Sequence, residues 1–533
     1  MKKTNIFAIL MLSCSLPVWG QGALDALPFM ENHMKGTARY TAMAGAFGAL
    51  GGDISTIRQN PAGLGIYRSF EVTLTAGLNF YNNSTSTGSR TNKNNDFYFS
   101  GDNLGFVGTI QFRNNALRTL NFGFSYINIA NFDNYYRADW NNIGSSLTQL
   151  LATQATESGF LPSQLSYPES GSYNPYDHCP WLSVLAYNGF LINPVNGDNS
   201  EYNAIYQPNQ QTTGNAYLYN RTKGSIDEYD INVSGNVSDM LYWGITLGLT
   251  NIDYRLESHY GETLQNAILY EGSDLNNLTP TSVTAKYDLV NTLKTSGYGF
   301  GLKLGLIFRP VQFLRIGFAY HSPTYYQMTD TYQGGLGYNI GNHSGSATDD
   351  NYTDVGITRY NCQTPWRVIG SIAGVIGKVG IISVDYEYSN AKNTHYGSSY
   401  DYTDYTITND NIQTHLQGMS TVRVGGEIRV TPALSLRAGY AYQSTAVNSD
   451  ILDGKILPQI VEGTLTNYTL PHDTHNITCG IGYRINNISL DAAYAYSMQK
   501  YDIFPFTPYD SNPMWAQMNM YRNMIKLTVG YRF

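Results

Sequence analysis

Residues 298–309 read Tyr-Gly-Phe-Gly-Leu-Lys-Leu-Gly-Leu-Ile-Phe-Arg. Tyr298, Phe300, Leu302, Leu304, Leu306 and Phe308 recur at every second position, while Gly299, Gly301, Lys303, Gly305 and Arg309 fall between them; only Ile307 breaks the alternation. A helix would mix the two sets, whereas a strand sends them to opposite faces. One face is therefore continuously apolar, and the other is small and charged. That is the pattern of a strand with hydrocarbon outside and an occupied interior within.

The same template fits residues 70–80, 104–112, 120–130, 228–237, 241–254, 314–320, 366–376, 378–388, 422–430, 434–442, 476–485, 488–496 and 521–533. With 298–309 this makes fourteen segments, and an even number is what a single-chain barrel of antiparallel strands requires. Composition agrees. Of 533 residues only 14% are charged and 14% are aromatic, with 45 Tyr and 52 Gly, against roughly a quarter charged in soluble domains. Mean hydropathy is −0.29, and no apolar run of about 18 residues follows the N-terminus, so spanning helices are excluded. The net charge of −8 gives no reason to expect nucleic acid. The expected fold is all-β: a fourteen-stranded antiparallel transmembrane β-barrel in the bacterial outer membrane.

Connections support that topology. Very short turns at Ser238-Asp239-Met240, Arg309-Pro310, Gly377, Thr431-Pro432 and Asn486-Asn487 alternate with long loops, the longest being 131–227, where 143–158 suggests a helix. Short turns on one side and long loops on the other match the periplasmic and extracellular ends of such barrels. Tyr386, Tyr388, Tyr440, Tyr442, Tyr494 and Tyr496 gather toward the outer ends, and Phe308, Tyr483 and Phe533 toward the inner ends, as interfacial aromatic girdles do. The competing reading, core aromatics of a soluble sandwich, sits poorly with long polar loops on one side only. The chain ends Leu527-Thr528-Val529-Gly530-Tyr531-Arg532-Phe533, whose alternation and terminal aromatic resemble the signal read by the barrel-assembly machinery. Tyr531 and Phe533 are its expected determinants.

The N-terminal residues divide in two. Lys2, Lys3 and the apolar 6–12 region, with small residues before Gln21, read as a secretory signal peptide over 1–20; Cys14 raises lipoprotein processing as an alternative. Residues 36–68 are small, apolar and Gly/Ala-rich without alternation, and they precede everything that reads as sheet. They suggest a plug, an N-terminal hatch over 21–68 that the barrel of 69–533 closes around. Within it Asn60-Pro61-Ala62-Gly63 is a turn sequence. The mature chain keeps Cys179, Cys362 and Cys479, an odd number that implies no disulfide framework; pairing of Cys179 with Cys362 stays open.

These residues carry a resemblance. Asn60-Pro61-Ala62-Gly63-Leu64 just before the first strand, preceded by Gly45-Ala46-Phe47-Gly48 and Asp53-Ile54-Ser55-Thr56, is similar to the hatch of the long-chain fatty acid transporter (FadL/TodX-type, OMPP1) family of outer-membrane proteins. Tyr320-His321-Ser322-Pro323 adds to the likeness. The resemblance implies uptake of a hydrophobic small molecule by diffusion, through a hatch-lined pocket and a lateral gap at an inward kink of the third strand. Asn60, Pro61 and Ala62 match the hatch motif. Phe29, Met30, Met34, Met43, Phe47 and Leu50 are the apolar ligand-binding candidates, with Met suited to a permissive pocket; the alternative is that they pack the plug into the barrel. On the third strand Leu120, Phe122, Phe124 and Tyr126 face lipid, and the same parity puts Asn128 outward. Loops such as 400–410 are more polar than an apolar capture groove requires, which leaves the ligand class open.

Parity sends Asp230, Lys303, Arg315, Arg367, Asp385, Glu387, Arg423, Glu427, Arg429, Arg437, Arg484, Asp491 and Lys526 into the lumen. With both signs on nearby strands, cross-strand pairing that holds the plug is favoured over a ligand-carboxylate clamp, for which Arg39 is the hatch candidate. No catalysis is expected. His178, His472, His475 and Asp473 lie in loops without a nucleophile motif, His472 and His475 lack a third metal ligand, and Gly48-Ala49-Leu50-Gly51-Gly52 lacks the Lys-Ser/Thr of a phosphate loop. The expectation is a monomer in outer-membrane lipid, without cofactor or metal, importing hydrophobic molecules. The alternatives are a haem or porphyrin receptor on the same scaffold, or a surface adhesin or enzyme using the long loops.

Overall fold

The computed structural model describes residues 22–533 apart from 31–33, 89, 114–115, 168–172, 196–198, 273–274, 349–352, 378, 400–404, 459–463 and 508–512. The signal-peptide reading of 1–20 lies outside the described residues. Fourteen strands form the barrel wall: β1 Glu71–Ser86, β2 Thr91–Gln111, β3 Leu117–Asn131, β4 Thr213–Val237, β5 Leu241–Glu271 and β6 Thr279–Val311. Strand β7 runs Leu314–His321 and resumes at Tyr325–Ile340, and β8 runs Gly356–Gln363 and resumes at Arg367–Ile376. Then come β9 Gly380–Asn390, β10 Gly418–Arg429, β11 Leu434–Gln443, β12 Tyr468–Ile485, β13 Ile488–Phe504 and β14 Ala516–Arg532. Each pairs antiparallel with its neighbour, and β14 returns to β1 over Glu71↔Arg532 to Ser86↔Gln517, which closes the sheet. At that seam Phe70 and Phe533 stack with ring centroids 5.6 Å apart, and Tyr531 and Phe533 both face outward.

The alternation that defines each segment is visible in exposure. Leu302, Leu304, Leu306 and Phe308 are exposed on the outer surface, while Lys303 and Ile307 are buried within. An apolar residue with about half its surface open on a monomer belongs against hydrocarbon, where exposure costs nothing. Leu304→Lys is expected to destabilise the barrel by about 2–4 kcal/mol if the site lies near the midplane. Refolding from urea into detergent would measure the cost, and an unchanged midpoint would contradict the outward assignment.

Strands run far beyond the membrane band. Strand β6 has 33 residues and β5 has 31, where roughly ten suffice to span. Above the band the outward positions turn polar, so hydropathy stops signalling strand although pairing continues. The 131–227 connection accordingly shrinks: a strand at Asn134–Asn141 continues the wall against β4, which starts at Thr213, and the described residues between them fold into a cap with the helices Leu147–Ser158 and Trp181–Asn188. The first helix is capped by Ser146 and ends at Gly159 with φ 71°. Buried Glu262 of β5 anchors it, accepting hydrogen bonds from Ser146 Oγ at 2.6 Å, the Leu147 amide at 2.9 Å and Tyr260 at 2.6 Å. Burial pushes the Glu262 carboxyl above its ordinary pKa, against the pull of those donors. At the periplasmic end, the expected Arg309-Pro310 turn lies instead inside β6, and the chain reverses at Gln312-Phe313. Pro310 is tolerated there because the β6–β7 ladder shifts register between Leu314 and Ile316.

Among the irregularities of the described wall, two interrupt the pairing of neighbouring strands beside the lumen. Strands β2 and β3 pair only from Asn103↔Ile127 to Gln111↔Thr119. Beyond Ile127, β3 bulges against β4 between Asn128 and Ala130, while the outer half of β2 has a backbone ladder with β1 alone and meets residues 134–141 through side-chain hydrogen bonds such as Asn92 to Asp139. The second is at Ser322-Pro323-Thr324 and Thr364-Pro365-Trp366, where neighbouring strands are interrupted side by side and Pro323 and Pro365 offer no amide donor.

Candidate functional site: the barrel lumen and its N-terminal segment

Residues 22–30 and 34–67 pack inside the barrel as short helices, Leu27–Met30, Ala38–Ala42 and Thr56–Gln59, followed by a 3-10 turn at Pro61–Ile66. Local chemistry explains their compactness. Asp53 accepts from the Thr37 hydroxyl at 2.8 Å and from the Ser55 amide at 3.0 Å, tying the two ends of the segment together. Between them Gly51 and Gly52 adopt positive φ, a conformation that costs glycine little. The Gly52 amide then bonds the Gly63 carbonyl at 3.0 Å.

The Asn60-Pro61-Ala62-Gly63 turn sits directly on the wall. Asn60 Oδ1 accepts from the Ala62 amide at 3.2 Å, and its Nδ2 donates to the carbonyls of Gly48 at 2.5 Å and Leu306 of β6 at 3.2 Å. The floor beneath is made of lumen-facing glycines. A Cβ at Gly244 or Gly305 would overlap Pro61 or Asn60, and one at Gly425 or Gly439 would overlap Met43. These inward glycines let backbone meet backbone; alternation located them, but only the packing shows what they admit. Gly244→Leu is expected to lift the turn off β5 and raise ion conductance through the barrel in planar bilayers. Heat-dependent gel mobility should still report a closed barrel. Unchanged conductance would contradict the docking.

Charges complete the attachment. Arg39 pairs with Glu427 at 2.9 Å and lies over the Phe47 ring at 5.3 Å, and Glu427 continues to Arg437 and Asp491 at 2.6 Å each. Arg423 meets Glu387 at 2.8 Å. Gln59 and the Gly48 amide both donate to Asp385, at 2.7 and 2.8 Å. Arg39 is thus engaged by the wall, so pairing that holds the segment, not a free carboxylate clamp, describes these residues. Lys35, Arg58, Glu71, Asp102 and Glu228 join the network unanticipated. Asp102, fully buried, pairs with Lys526 at 3.1 Å and Lys35 at 3.6 Å. It sits where the β1–β2 register shifts. A sign was legible: outward residues fall on odd positions through Phe99 and on even positions from Leu104, so one extra residue must lie between.

The seven ligand candidates are not brought into one pocket. Met43 is wedged between wall glycines, Phe47 stacks near Tyr40 at 5.6 Å, Leu50 faces a periplasmic vestibule of about 510 Å³, and Met34 borders a 50 Å³ space with Tyr81 and Arg423. Phe29 and Met30 lie higher, filling an apolar chamber of the outer lumen in which they pack against Ala130, Phe132, Ile226, Tyr326, Met328, Tyr360 and Tyr396. Phe29 makes edge-to-face contacts with Phe132 and Tyr254 at 6.2 and 6.0 Å. Below it a space of about 60 Å³ is lined by Arg58, Glu228, Lys303, His321 and Arg367. Asn128 is buried, its Nδ2 donating to Asp227 at 2.9 Å, and Ile129 beside it borders the space below Phe29.

Other residues singled out in the sequence are separated. His472 pairs with Asp502 at 2.7 Å and His475 with Tyr440 at 2.8 Å. Cys179 lies in the core of the cap and Cys362 beside the inner chamber; both are free thiols.

Comparison with known proteins follows this geometry. The family described as outer membrane protein transport protein (OMPP1/FadL/TodX) matches residues 199–514. The crystal structure of a Pseudomonas aeruginosa FadL homologue is similar at 13% identity and TM-score 0.50, over 94% of this chain and 99% of that one. The toluene transporter TodX of P. putida is similar at 12% identity and TM-score 0.48, over 94% and 99%. No curated protein sequence matches the chain. The likeness to the first of these structures speaks for the fold alone.

Proposed function

The chain belongs to the OMPP1/FadL/TodX family of outer-membrane transport proteins, and from that premise we propose that it admits hydrophobic small molecules, long-chain fatty acids among them, by diffusion through the upper lumen. One observation carries the reading. The apolar chamber around Phe29 and Met30 abuts Ala130 and Phe132, at the end of β3 that leaves β2. A molecule in the chamber therefore stands beside a stretch of wall without a β2–β3 ladder. An apolar solute gains roughly 25 cal/mol per Å² on leaving water, so chamber and bilayer are both favourable for it. The charged floor below, with Lys303, Glu228 and Arg367, is not. That contrast supports a sideways exit between β2 and β3 over passage down through the N-terminal segment, which acts as the hatch.

In this reading Gly22–Met30 occupies the chamber at rest and yields to the ligand, with Phe29 and Met30 lining it, while Asn60 and Pro61 keep the lower lumen shut. The exposed seam residues Tyr531 and Phe533 serve recognition by the assembly machinery. The test is uptake of a radiolabelled long-chain fatty acid by proteoliposomes, with mass spectrometry of small molecules that co-purify in detergent. Uptake above empty liposomes and a bound apolar compound are expected; neither appearing would overturn the proposal.

A further inference from the structure

The outer surface above the apolar belt carries an arrangement that transport does not use. Lys223 of β4 lies directly opposite Arg255 of β5, and Arg255 directly opposite Lys294 of β6, which faces Thr331 of β7. Directly opposed side chains on neighbouring strands stand about 5 Å apart, and like charges there repel. Three cations in one row is thus a local conflict, of a kind that sheets retain where function requires it. The acids nearby only partly offset it. Asp253 pairs with Arg255 at 3.1 Å, and Glu257, opposite Arg221, contacts His259 at 3.2 Å. Arg221, Lys223, Arg255 and Lys294 rim a hollow of about 340 Å³ to which Glu257, Thr292, Thr331 and Gln333 also contribute.

Height identifies the surroundings. Lys294 is four residues outward along β6 from Tyr298, which is 66% exposed at the top of the aromatic belt. Four residues are roughly 13 Å of strand, or about 10 Å of height at a tilt near 40°. That places the row in the polar headgroup layer of the outer leaflet. The hollow opens away from the lumen, so a solute bound for transport does not meet it.

We propose that this hollow docks the phosphorylated headgroup of an anionic outer-leaflet lipid. Phosphate oxygens accept charge-assisted hydrogen bonds from Lys223, Arg255 and Lys294, with Arg221 at the upper rim. The alkyl stems of the same cations meet the carbon skeleton of the headgroup. The bound dianion resolves the repulsion within the row, as basic pockets do when they capture lipid phosphates.

The experiment uses the full chain in detergent and native mass spectrometry. Its probes are a bisphosphorylated diglucosamine lipid (lipid A), the same lipid with both phosphates removed, and inorganic pyrophosphate. Wild type should retain the phosphorylated lipid in preference to the dephosphorylated one, and pyrophosphate should not displace it. The triple variant K223Q/R255Q/K294Q should bind it about a hundredfold more weakly, each cation contributing roughly fivefold. Its heat-dependent mobility and fatty acid uptake should remain those of wild type, which separates this proposal from the transport reading. Equal retention of the two lipids by wild type would overturn it without reference to any variant. Equal binding by wild type and variant would also overturn it, as would full displacement by pyrophosphate, which would mark a site for free phosphate.

Discussion

Lys303→Met is expected to cost the barrel about 3–5 kcal/mol, the range for removing one partner of a buried ion pair. The Lys303 ammonium lies 2.6 Å from Glu228 Oε1 and 2.7 Å from Asp230 Oδ1, and these side chains are 9%, 8% and 0% exposed. Arg58, 3.5 Å from Glu228, still answers that carboxylate in the variant, but Asp230 loses its cation. The loss is therefore set by an abandoned charge, not by the attraction removed. The double change Lys303→Met and Asp230→Asn should recover most of it, because Glu228 keeps Arg58 and no uncompensated charge remains. Urea unfolding in detergent measures both. A double variant as unstable as the single one would show that packing of the lysine stem carried the effect.

Ala130→Trp is expected to lower fatty acid uptake by at least about tenfold while the barrel still closes. Ala130 is 1% exposed and sits between the apolar chamber and the place where β3 parts from β2. An indole there overfills the chamber, and overpacking costs about 1–3 kcal/mol. Charged against ligand occupancy, each 1.4 kcal/mol is roughly a factor of ten. Proteoliposome uptake and heat-dependent gel mobility, read on the same preparation, separate the two consequences. Normal uptake would mean that the ligand leaves by another route, and the interruption at Pro323 and Pro365 would then be the place to look.

The amino-acid sequence by itself determined the wall. Every second residue of 298–309 and its thirteen counterparts must meet hydrocarbon, and a period of two allows only one placement of each strand; the fourteen-strand closed sheet follows. The Asn60-Pro61-Ala62-Gly63 turn was legible for a similar reason, since turn chemistry is local. The extent of β5 and β6 above the membrane was not, because their outward residues turn polar there and pairing leaves no mark in hydropathy. Only the tertiary structure decided what fills the lumen. Gly425 and Gly439 close on Met43 and Arg39 lies over Phe47, while Phe29 and Met30 stand apart with Phe132 and Tyr254. The pairings of Lys303 with Glu228 and of Lys526 with Asp102 depend on the register between strands distant in the chain and on how deeply residues 22–67 are seated. No periodicity encodes either.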